Sequence, residues 1–136
     1  MLHNTELAPP SAPLVLVADD DPDIAYLLGA MLSDAGYRVE QQTSLPAVAQ
    51  RLVHDPLPDL MVLDIKMGAD DATVLVRRLR TEGRTMHLPV LFISARVDAM
   101  AAAAAVDSIG LAKPFEMRTL LATVAGTIST RRDAQP

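Results

Sequence analysis

The 136-residue sequence predicts an α/β fold, a doubly wound five-stranded parallel sheet with helices on both faces. Two observations lead to this prediction. Short continuous apolar runs, typical of strands covered on both sides, alternate with segments in which apolar residues recur at helical spacing. The connections between them are short, as in parallel strand–helix–strand units. Hydrophobic residues make up 50% of the chain, so we expect one domain over residues 14–130, a flexible leader over 1–13 and a polar C-terminal tail over 131–136.

The first two strand–helix units are predicted within residues 14–53. The apolar run LVLVA (14–18) is the first buried strand. A helix follows from Pro22 to Gly36, because proline suits the first helical position and glycine the end of a helix. Residues 37–41 alternate and predict the second strand. The residues expected to face the core are Ile24, Leu27, Leu28, Met31 and Leu32 in the first helix and Leu45, Val48, Ala49, Leu52 and Val53 in the second.

Three more strands and three more helices complete the expected order. The strands are predicted over 59–64, 88–94 and 111–113, and the helices over 74–80, 98–109 and 115–130. The inward residues expected in the third helix are Val74, Leu75 and Leu79. Gly110 is expected to cap the fourth helix. Arg77, Arg78 and Arg80 most simply form a solvated helix face, with a partner contact as the alternative. The alanine run 101–105 most simply gives a smooth helix surface, although such a face also lets another chain approach, including a second copy in a homodimer.

Polar side chains follow four of the five predicted strands. They are Asp19 and Asp20 after the first strand, Asp64 at the end of the third, Ser94 at the end of the fourth and Lys113 at the end of the fifth. The carboxyl ends of parallel strands lie at one edge of the sheet, and ligands bind outside that edge. We therefore expect these five side chains to converge on one site.

The residue types at this edge indicate a metal ion and phosphoryl chemistry. Three carboxylates without a nearby histidine or cysteine favour a hard cation, Mg²⁺ with Mn²⁺ as an alternative, which would also offset the repulsion among the aspartates. Asp21 is instead interpreted as the cap of the first helix. A lysine and a hydroxyl would neutralise and hydrogen-bond phosphoryl oxygens while one carboxylate attacks phosphorus. The product would be an aspartyl phosphate.

Four motifs in this order, LVADDDPDI, PDLMVLDIKM, LPVLFISA and AKPF, resemble the receiver domain of bacterial response regulators, which has a flavodoxin-like (βα)5 fold. The resemblance covers about residues 14–130 and implies a role for each of six residues. These are Asp64 as the phospho-acceptor, Asp19 and Asp20 as the metal-binding pair, Lys66 as a backbone-carbonyl ligand, Ser94 as the contact to the phosphoryl group and Lys113 as its cationic partner. It also implies a cis bond between Lys113 and Pro114.

The sequence departs from this family in three places. The loop after the acceptor, MGADDA (67–72), lacks the usual proline, so we expect it to be less rigid than in the family. Gly110 stands where the family usually has an aromatic side chain that reports phosphorylation. The separation between Ser94 and Lys113 is about three residues shorter than usual, so we expect a trimmed fourth helix or a trimmed loop after it. Signalling would then run through rearrangement of a loop or of the fourth helix.

Two cations near the expected acceptor carry a further prediction. Lys66 lies two residues beyond Asp64, and Arg96 lies two residues beyond Ser94. Both side chains would shield an acyl phosphate from attacking water and lengthen its lifetime.

The composition narrows the class of function. A formal net charge of −5 argues against a nucleic-acid-binding surface, the absence of cysteine excludes disulfides and thiolate metal sites, and no apolar run is long enough to cross a membrane. The N-terminus lacks the features of a signal peptide, so a cytoplasmic protein is expected. Only six residues follow residue 130, which predicts a single-domain regulator without an output domain.

The leading hypothesis is a regulator, not an enzyme with turnover, that assists its own phosphorylation and dephosphorylation. A histidine kinase or a phosphotransfer protein would supply the phosphoryl group, and the regulator would act by phosphorylation-dependent protein binding or by relay to an unknown target. The first alternative is a degenerate receiver that binds proteins independently of phosphorylation. A second alternative, a phosphatase that uses Asp19 and Asp21, is disfavoured by Pro22 and by the absence of room for a cap domain.

Overall fold

The structure, a computed structural model, describes the backbone of residues 8–134 and the side chains of residues 8–131. The strands are β1 (Leu14–Ala18), β2 (Arg38–Gln42), β3 (Leu60–Asp64), β4 (Lys66–Met67), β5 (Asp70–Asp71), β6 (Val90–Ser94) and β7 (Ile109–Ala112). The helices are α1 (Pro22–Asp34), α2 (Leu45–Arg51), α3 (Ala72–Leu79), α4 (Ala99–Ala104) and α5 (Met117–Ala134).

The main sheet has five parallel strands in the order β2-β1-β3-β6-β7. This arrangement confirms the predicted α/β fold. The chain winds from β1 outward to β2 and then returns to β3 on the other side of β1, so the winding direction reverses between β1 and β3. Ligands of such sheets bind beyond the carboxyl ends of the strands at this reversal. The short strands β4 and β5 form a separate antiparallel hairpin directly after β3.

Alternate residues of the central strands enter two apolar cores, one on each face of the sheet. Along β1, Leu16 and Ala18 pack on the side of α2, α3 and α4, whereas Val15 and Val17 pack on the side of α1 and α5. All four are essentially inaccessible. Every side chain of a strand covered on both faces is buried, so each position favours an apolar residue. This explains the unbroken apolar run in the sequence.

Three residues predicted to face the core are exposed instead: Leu27, Val53 and Val74. Leu27 and Val74 each stand two residues, about 200° of helical rotation, from the buried residues Ala25 and Val76. Val53 follows the end of α2 and therefore leaves its face. The buried stripe of each helix is thus narrower than the apolar pattern suggested, because a helix lying on a sheet covers only one side.

Helix α4 has six residues and ends at Ala104, five residues before the end predicted at residue 109. Of the two expected shortenings, in the fourth helix or in the loop after it, the one in the helix is therefore present. Gly110 does not cap this helix, because β7 begins at Ile109 and Gly110 lies within that strand. The chain turns between α4 and β7 with Asp107 at a positive φ of 52°.

The arginine run on α3 is not uniformly solvated. Arg77 and Arg78 are exposed, but the Arg80 guanidinium donates hydrogen bonds to the carbonyls of Leu88 (2.7 Å) and Val106 (3.0 Å), among others. Burial lowers the pKa of Arg80. The side chain therefore ties the end of α3 to the segments that precede β6 and β7, a role that the sequence pattern did not reveal.

Described structure continues beyond both ends of residues 14–130. Helix α5 continues to Ala134, four residues past its predicted end at residue 130. Within the predicted leader, Ala12 is buried, and the Ala12 carbonyl accepts a hydrogen bond from Arg38 Nε at 2.9 Å. Residues 1–7 and 135–136 lie outside the described part of the chain. No helix in that part is long and apolar enough to cross a membrane.

Candidate functional site

The carboxylates of Asp19, Asp20 and Asp64 meet beyond the ends of β1 and β3. One carboxylate oxygen from each residue lies within 4.8 Å of the others. The parallel register places Ala18 opposite Leu63, so the next residues along both strands reach the same edge. Asp19 is 3% exposed, whereas Asp20 is exposed. The expected convergence of these three acidic residues is therefore present.

The surroundings of Asp19 disfavour the ionised form of its carboxylate. Burial raises the pKa of Asp19, an effect opposed by the hydrogen bond from the Asp21 backbone N–H (3.0 Å) and by Lys113. The neighbouring carboxylates of Asp64 and Asp20 raise the pKa further. A second positive charge at this position would therefore stabilise the ionised triad.

Lys113 brings the one ammonium group that contacts this cluster within the described residues. Its Nζ lies 3.4 Å from Asp64 Oδ2 and 3.6 Å from Asp19 Oδ2. The Lys113 backbone N–H donates to the Ser94 carbonyl at 2.8 Å, which extends the β6–β7 ladder to the site. The bond between Lys113 and Pro114 is cis, as the family resemblance implied.

Ser94 ends β6 with its side chain 2% exposed. The register places the preceding residue, Ile93, opposite Asp64, so Ser94 stands at the same edge of the sheet. Its Oγ accepts a hydrogen bond from the Arg96 backbone N–H at 3.1 Å. That bond uses an oxygen lone pair and leaves the hydroxyl hydrogen available for donation.

The loop after Asp64, which was expected to be less rigid than in the family, is an ordered hairpin. Lys66 pairs with Asp71 and Met67 pairs with Asp70, and Gly68 takes a φ of +64° at the turn. Glycine adopts this left-handed conformation without the steric cost that other residues meet. Met67 is buried, which anchors the hairpin to the core.

Two backbone N–H groups of this hairpin point at the acidic cluster. The Gly68 N–H donates to Asp20 Oδ2 at 2.9 Å, and the Lys66 N–H donates to Asp64 Oδ1 at 3.3 Å. Sequence reasoning did not identify Gly68 as part of the site, although a lone glycine in a short polar loop was an available signal. The Lys66 side chain is exposed, and its proposed carbonyl ligation stays a prediction.

Asp21 and Asp71 are helix caps. Asp21 Oδ1 accepts from the Asp23 N–H at 2.9 Å at the start of α1, as predicted. Asp71 Oδ1 accepts from both the backbone N–H (2.8 Å) and the hydroxyl (2.5 Å) of Thr73 at the start of α3. Asp70 pairs with Met67 within the hairpin.

Arg96, two residues beyond the end of β6, makes ion pairs with two aspartates. Its guanidinium lies 2.7 Å from Asp98 Oδ2 and 3.5 Å from Asp71 Oδ2, and both aspartates are outside the triad. The hydrogen bond with Asp98 raises the pKa of Arg96. A role for Arg96 in shielding an acyl phosphate stays a prediction.

The residues present fit a divalent cation. Three carboxylates that each offer one oxygen, with no nitrogen or sulfur ligand among them, match the preference of Mg²⁺ for hard oxygen donors and for a small number of carboxylate ligands. Because burial raises the pKa of Asp19, a bound cation would stabilise the ionised form of this carboxylate.

The family model described as the response regulator receiver domain matches residues 15–125. A curated relative, the "DNA-binding dual master transcriptional regulator RpaA" of Synechocystis sp., is 35% identical over 115 residues, which cover 82% of this chain and 47% of that protein. The chain spans about half the length of the curated relatives it matches.

Solved structures agree with this match. A putative response regulator from Chloroflexus aurantiacus superposes with a TM-score of 0.80 at 28% identity, covering 88% of this chain and 99% of that one. The chemotaxis response regulator CheY4 of Vibrio cholerae superposes with a TM-score of 0.75 at 26% identity, covering 86% and 99%. With its five-stranded parallel sheet and its acidic cluster beyond β1 and β3, the chain belongs to the response regulator receiver domain family.

Proposed function

We propose that this receiver domain accepts a phosphoryl group on Asp64 in a Mg²⁺-dependent reaction. The donor is a histidine kinase or a phosphotransfer protein, and the output is phosphorylation-dependent protein binding or transfer along a relay. One observation carries the proposal: Lys113 Nζ lies between Asp64 and Asp19, 3.4 Å and 3.6 Å from their carboxylates, inside a triad that fits a divalent cation.

The proposed step is an in-line displacement at phosphorus. A carboxylate oxygen of Asp64 forms the new O–P bond while the P–N bond of a phosphohistidine breaks, and the electron pair leaves with the imidazole nitrogen. Lys113 neutralises negative charge on the phosphoryl oxygens, and the Ser94 hydroxyl donates a hydrogen bond to one of them. Asp19, Asp20 and Asp64 would hold Mg²⁺, which would supply further neutralisation of the phosphoryl charge.

The same groups would assist the return reaction, in which water attacks the acyl phosphate. The protein is proposed to act as a regulator that turns over slowly and not as a phosphatase. Its proposed location is the cytoplasm, where histidine kinases deliver phosphoryl groups. That the receiver acts as a single-domain protein stays a prediction, since the curated relatives are about twice as long.

The test uses intact-protein mass spectrometry. The protein is incubated with Mg²⁺ and acetyl phosphate, and the addition of one phosphoryl mass is followed in wild type, in Asp64→Asn and in a control variant, Asp70→Asn, from the exposed part of the hairpin. Labelling of wild type and Asp70→Asn but not of Asp64→Asn is expected. Labelling that persists in Asp64→Asn would exclude this residue as the acceptor.

A degenerate receiver that binds its partner constitutively is the second candidate. The observation in its favour is Gly110, which leaves β7 without the aromatic side chain that usually reports phosphorylation in this family. Complete absence of labelling in wild type, with a folded protein, would favour this candidate. Steady release of phosphate over many turnovers would instead point to the phosphatase alternative.

A further inference from the structure

Helix α4 lies against β7 with no side chain between them at Gly110. A Cβ atom added at Gly110 would stand 2.8 Å from the Ala99 carbonyl oxygen and 2.9 Å from the Met100 Cα. These separations are shorter than van der Waals contact, and both atoms belong to the backbone. The start of α4 therefore fills the space in which a larger residue of β7 would stand.

One side chain joins the start of α4 to the hairpin that follows Asp64. The Arg96 guanidinium contacts Asp98, the residue that precedes α4, through Nε at 2.9 Å and Nη2 at 2.7 Å. Its Nη1 lies 3.5 Å from Asp71, the residue that ends the hairpin and caps α3. Arg96 thus connects two elements that are separate in sequence and that both border the site.

We propose that Arg96 is the positioning residue that couples the state of the Asp64 site to the position of α4. This inference rests on the proposed function, because it describes how that site would reach an output surface. The route runs from the hairpin to Asp71, then through the Arg96 guanidinium to Asp98 and the first turn of α4.

The hairpin is the element whose backbone contacts the site directly. The Gly68 N–H donates to an oxygen of Asp20, and the Lys66 N–H donates to an oxygen of Asp64. A cation at the triad and a phosphoryl group on Asp64 would change the charge of the same two carboxylates. The hairpin, which ends at Asp71, is therefore the element through which a change at the site would reach Arg96.

The two ends of the Arg96 bridge differ in strength. The contact with Asp98 is bidentate and short, whereas the contact with Asp71 is a single ion pair at 3.5 Å. Bidentate charged pairs hold their geometry better than single ones. Arg96 should therefore remain with α4, and the Asp71 end should be the one that breaks and re-forms. All three side chains are 42–53% exposed, so salt screens the pair.

No aromatic residue occurs between Phe92 and Phe115 in the sequence. Coupling by an aromatic side chain of β7 is therefore absent from this chain. The Ser94 Oγ accepts the Arg96 backbone N–H at 3.1 Å, so the residue whose hydroxyl would contact a phosphoryl group is hydrogen-bonded to Arg96. Both Ser94 and the hairpin therefore contact Arg96.

The test is nuclear magnetic resonance of the full chain with ¹⁵N-labelled backbone, with and without Mg²⁺ and beryllofluoride, a mimic of the phosphoryl group. Amide shift changes are measured at the site (residues 64–68), in α4 (residues 99–104) and at Gly110. In wild type, all three regions should shift. In Arg96→Gln, the site should shift as in wild type, while the change in α4 falls by at least half.

Three further variants sharpen the test. Asp71→Asn keeps a side chain that can cap α3 but removes the charge, so it should reproduce the effect of Arg96→Gln. The double variant should add nothing to either single variant, because one interaction has been removed twice. Arg77→Gln, a change of an exposed arginine on α3, serves as the matched control and should behave as wild type.

The outcomes separate the inference from the proposed function. An α4 response in Arg96→Gln equal to that of wild type, or an equal loss at the site and in α4, would overturn a coupling role for Arg96. The same holds if α4 in wild type does not respond although ¹⁹F spectra show bound beryllofluoride. Absence of bound mimic together with absence of Asp64 labelling would instead defeat the proposed function, and the inference with it.

Discussion

The two sides of the site differ in how their residues are held. On the side of β1 and β3, Asp19, Asp20 and Asp64 are placed by the register of two buried strands, and their motifs follow the family pattern. On the side of β6, α4 and β7, a short helix lies directly on Gly110, and an exposed arginine joins it to the hairpin. The register of two buried strands thus fixes the positions of the residues proposed to do the chemistry. Close packing on Gly110 and surface ion pairs fix the position of α4, the element proposed to respond to that chemistry.

Different interactions therefore hold the proposed chemical groups and the element proposed to respond to them. Moving a carboxylate of the triad would require a change in the register of a buried strand, which turns every side chain of that strand to the other face. On the side of β6, α4 and β7, a change requires only that a glycine replace a larger residue and that a few exposed charged residues differ. Variants that damage one side and spare the other test this separation.

The largest effect is expected from Lys113→Ala, which removes the ammonium group next to Asp64. Phosphorylation by acetyl phosphate should slow by about 10²–10³-fold, the usual cost of removing a group that stabilises charge in a transition state. Intact-mass time courses measure the rate. Arg77→Ala, which removes an exposed cation from α3, is the matched control for charge. Equal rates in Lys113→Ala and wild type would contradict the proposed role.

Gly110→Ala should disturb the side of α4 without changing the chemistry. The new Cβ meets backbone atoms at 2.8–2.9 Å, so α4 or β7 must shift, and overpacking of this kind costs about 1–3 kcal/mol. Chemical denaturation measures the loss. Gly126→Ala on α5, where an added Cβ meets nothing within 4 Å, should instead stabilise by about 0.5–1 kcal/mol. A free energy of unfolding of Gly110→Ala equal to that of wild type would show that α4 can shift away from β7 without loss of stability.

Asp19→Asn should stabilise the metal-free protein at neutral pH. The pKa of Asp19 is raised above its ordinary value of 3.8, first by burial, so the folded state binds the proton more tightly than the unfolded state. The resulting stability is present below the ordinary pKa and is lost as pH rises through the raised folded pKa. Thermal unfolding against pH in a chelator should show this decline in wild type and not in Asp19→Asn.

Added Mg²⁺ should reverse that order. At ten times its dissociation constant, a bound ion stabilises the folded state by about 1.4 kcal/mol in wild type, and it should have little effect on Asp19→Asn. An equal rise of the unfolding midpoint in both proteins would argue that Asp19 does not take part in binding the metal.

The smallest effect is expected from Lys66→Ala on the lifetime of the phosphorylated protein. Its exposed cation can contribute at most about 1 kcal/mol, so loss of the phosphoryl group should accelerate by no more than about fivefold. Release of phosphate from purified phosphoprotein measures the rate. Unchanged release would argue against a shielding role for Lys66.

Features that follow from apolar runs and from residue spacing could be predicted from the sequence alone. The apolar runs at 14–18 and 59–64 indicated buried parallel strands, because a strand covered on both faces tolerates no polar residue. Their polar ends then indicated where the site lies. The spacing between Ser94 and Lys113 indicated a shortened fourth helix, because the length of a connection limits what it can contain.

Other features gave no signal in the sequence, because they depend on neighbours distant in the chain. Arg80 looked solvated on a helix wheel, but it faces the carbonyls of Leu88 and Val106. Gly110 looked like a helix cap, and only the packing of α4 shows that it must be small.

The five strands of the main sheet, the five helices between and after them, the two-sided core and the polar residues at one edge were all predictable, since they follow from local periodicity and chain connectivity. The ordered hairpin after Asp64, its N–H groups on two carboxylates and the link through Arg96 to α4 became visible only in the folded chain. Hydrogen bonds and ion pairs between separate segments depend on distances that the fold sets and that sequence spacing does not encode.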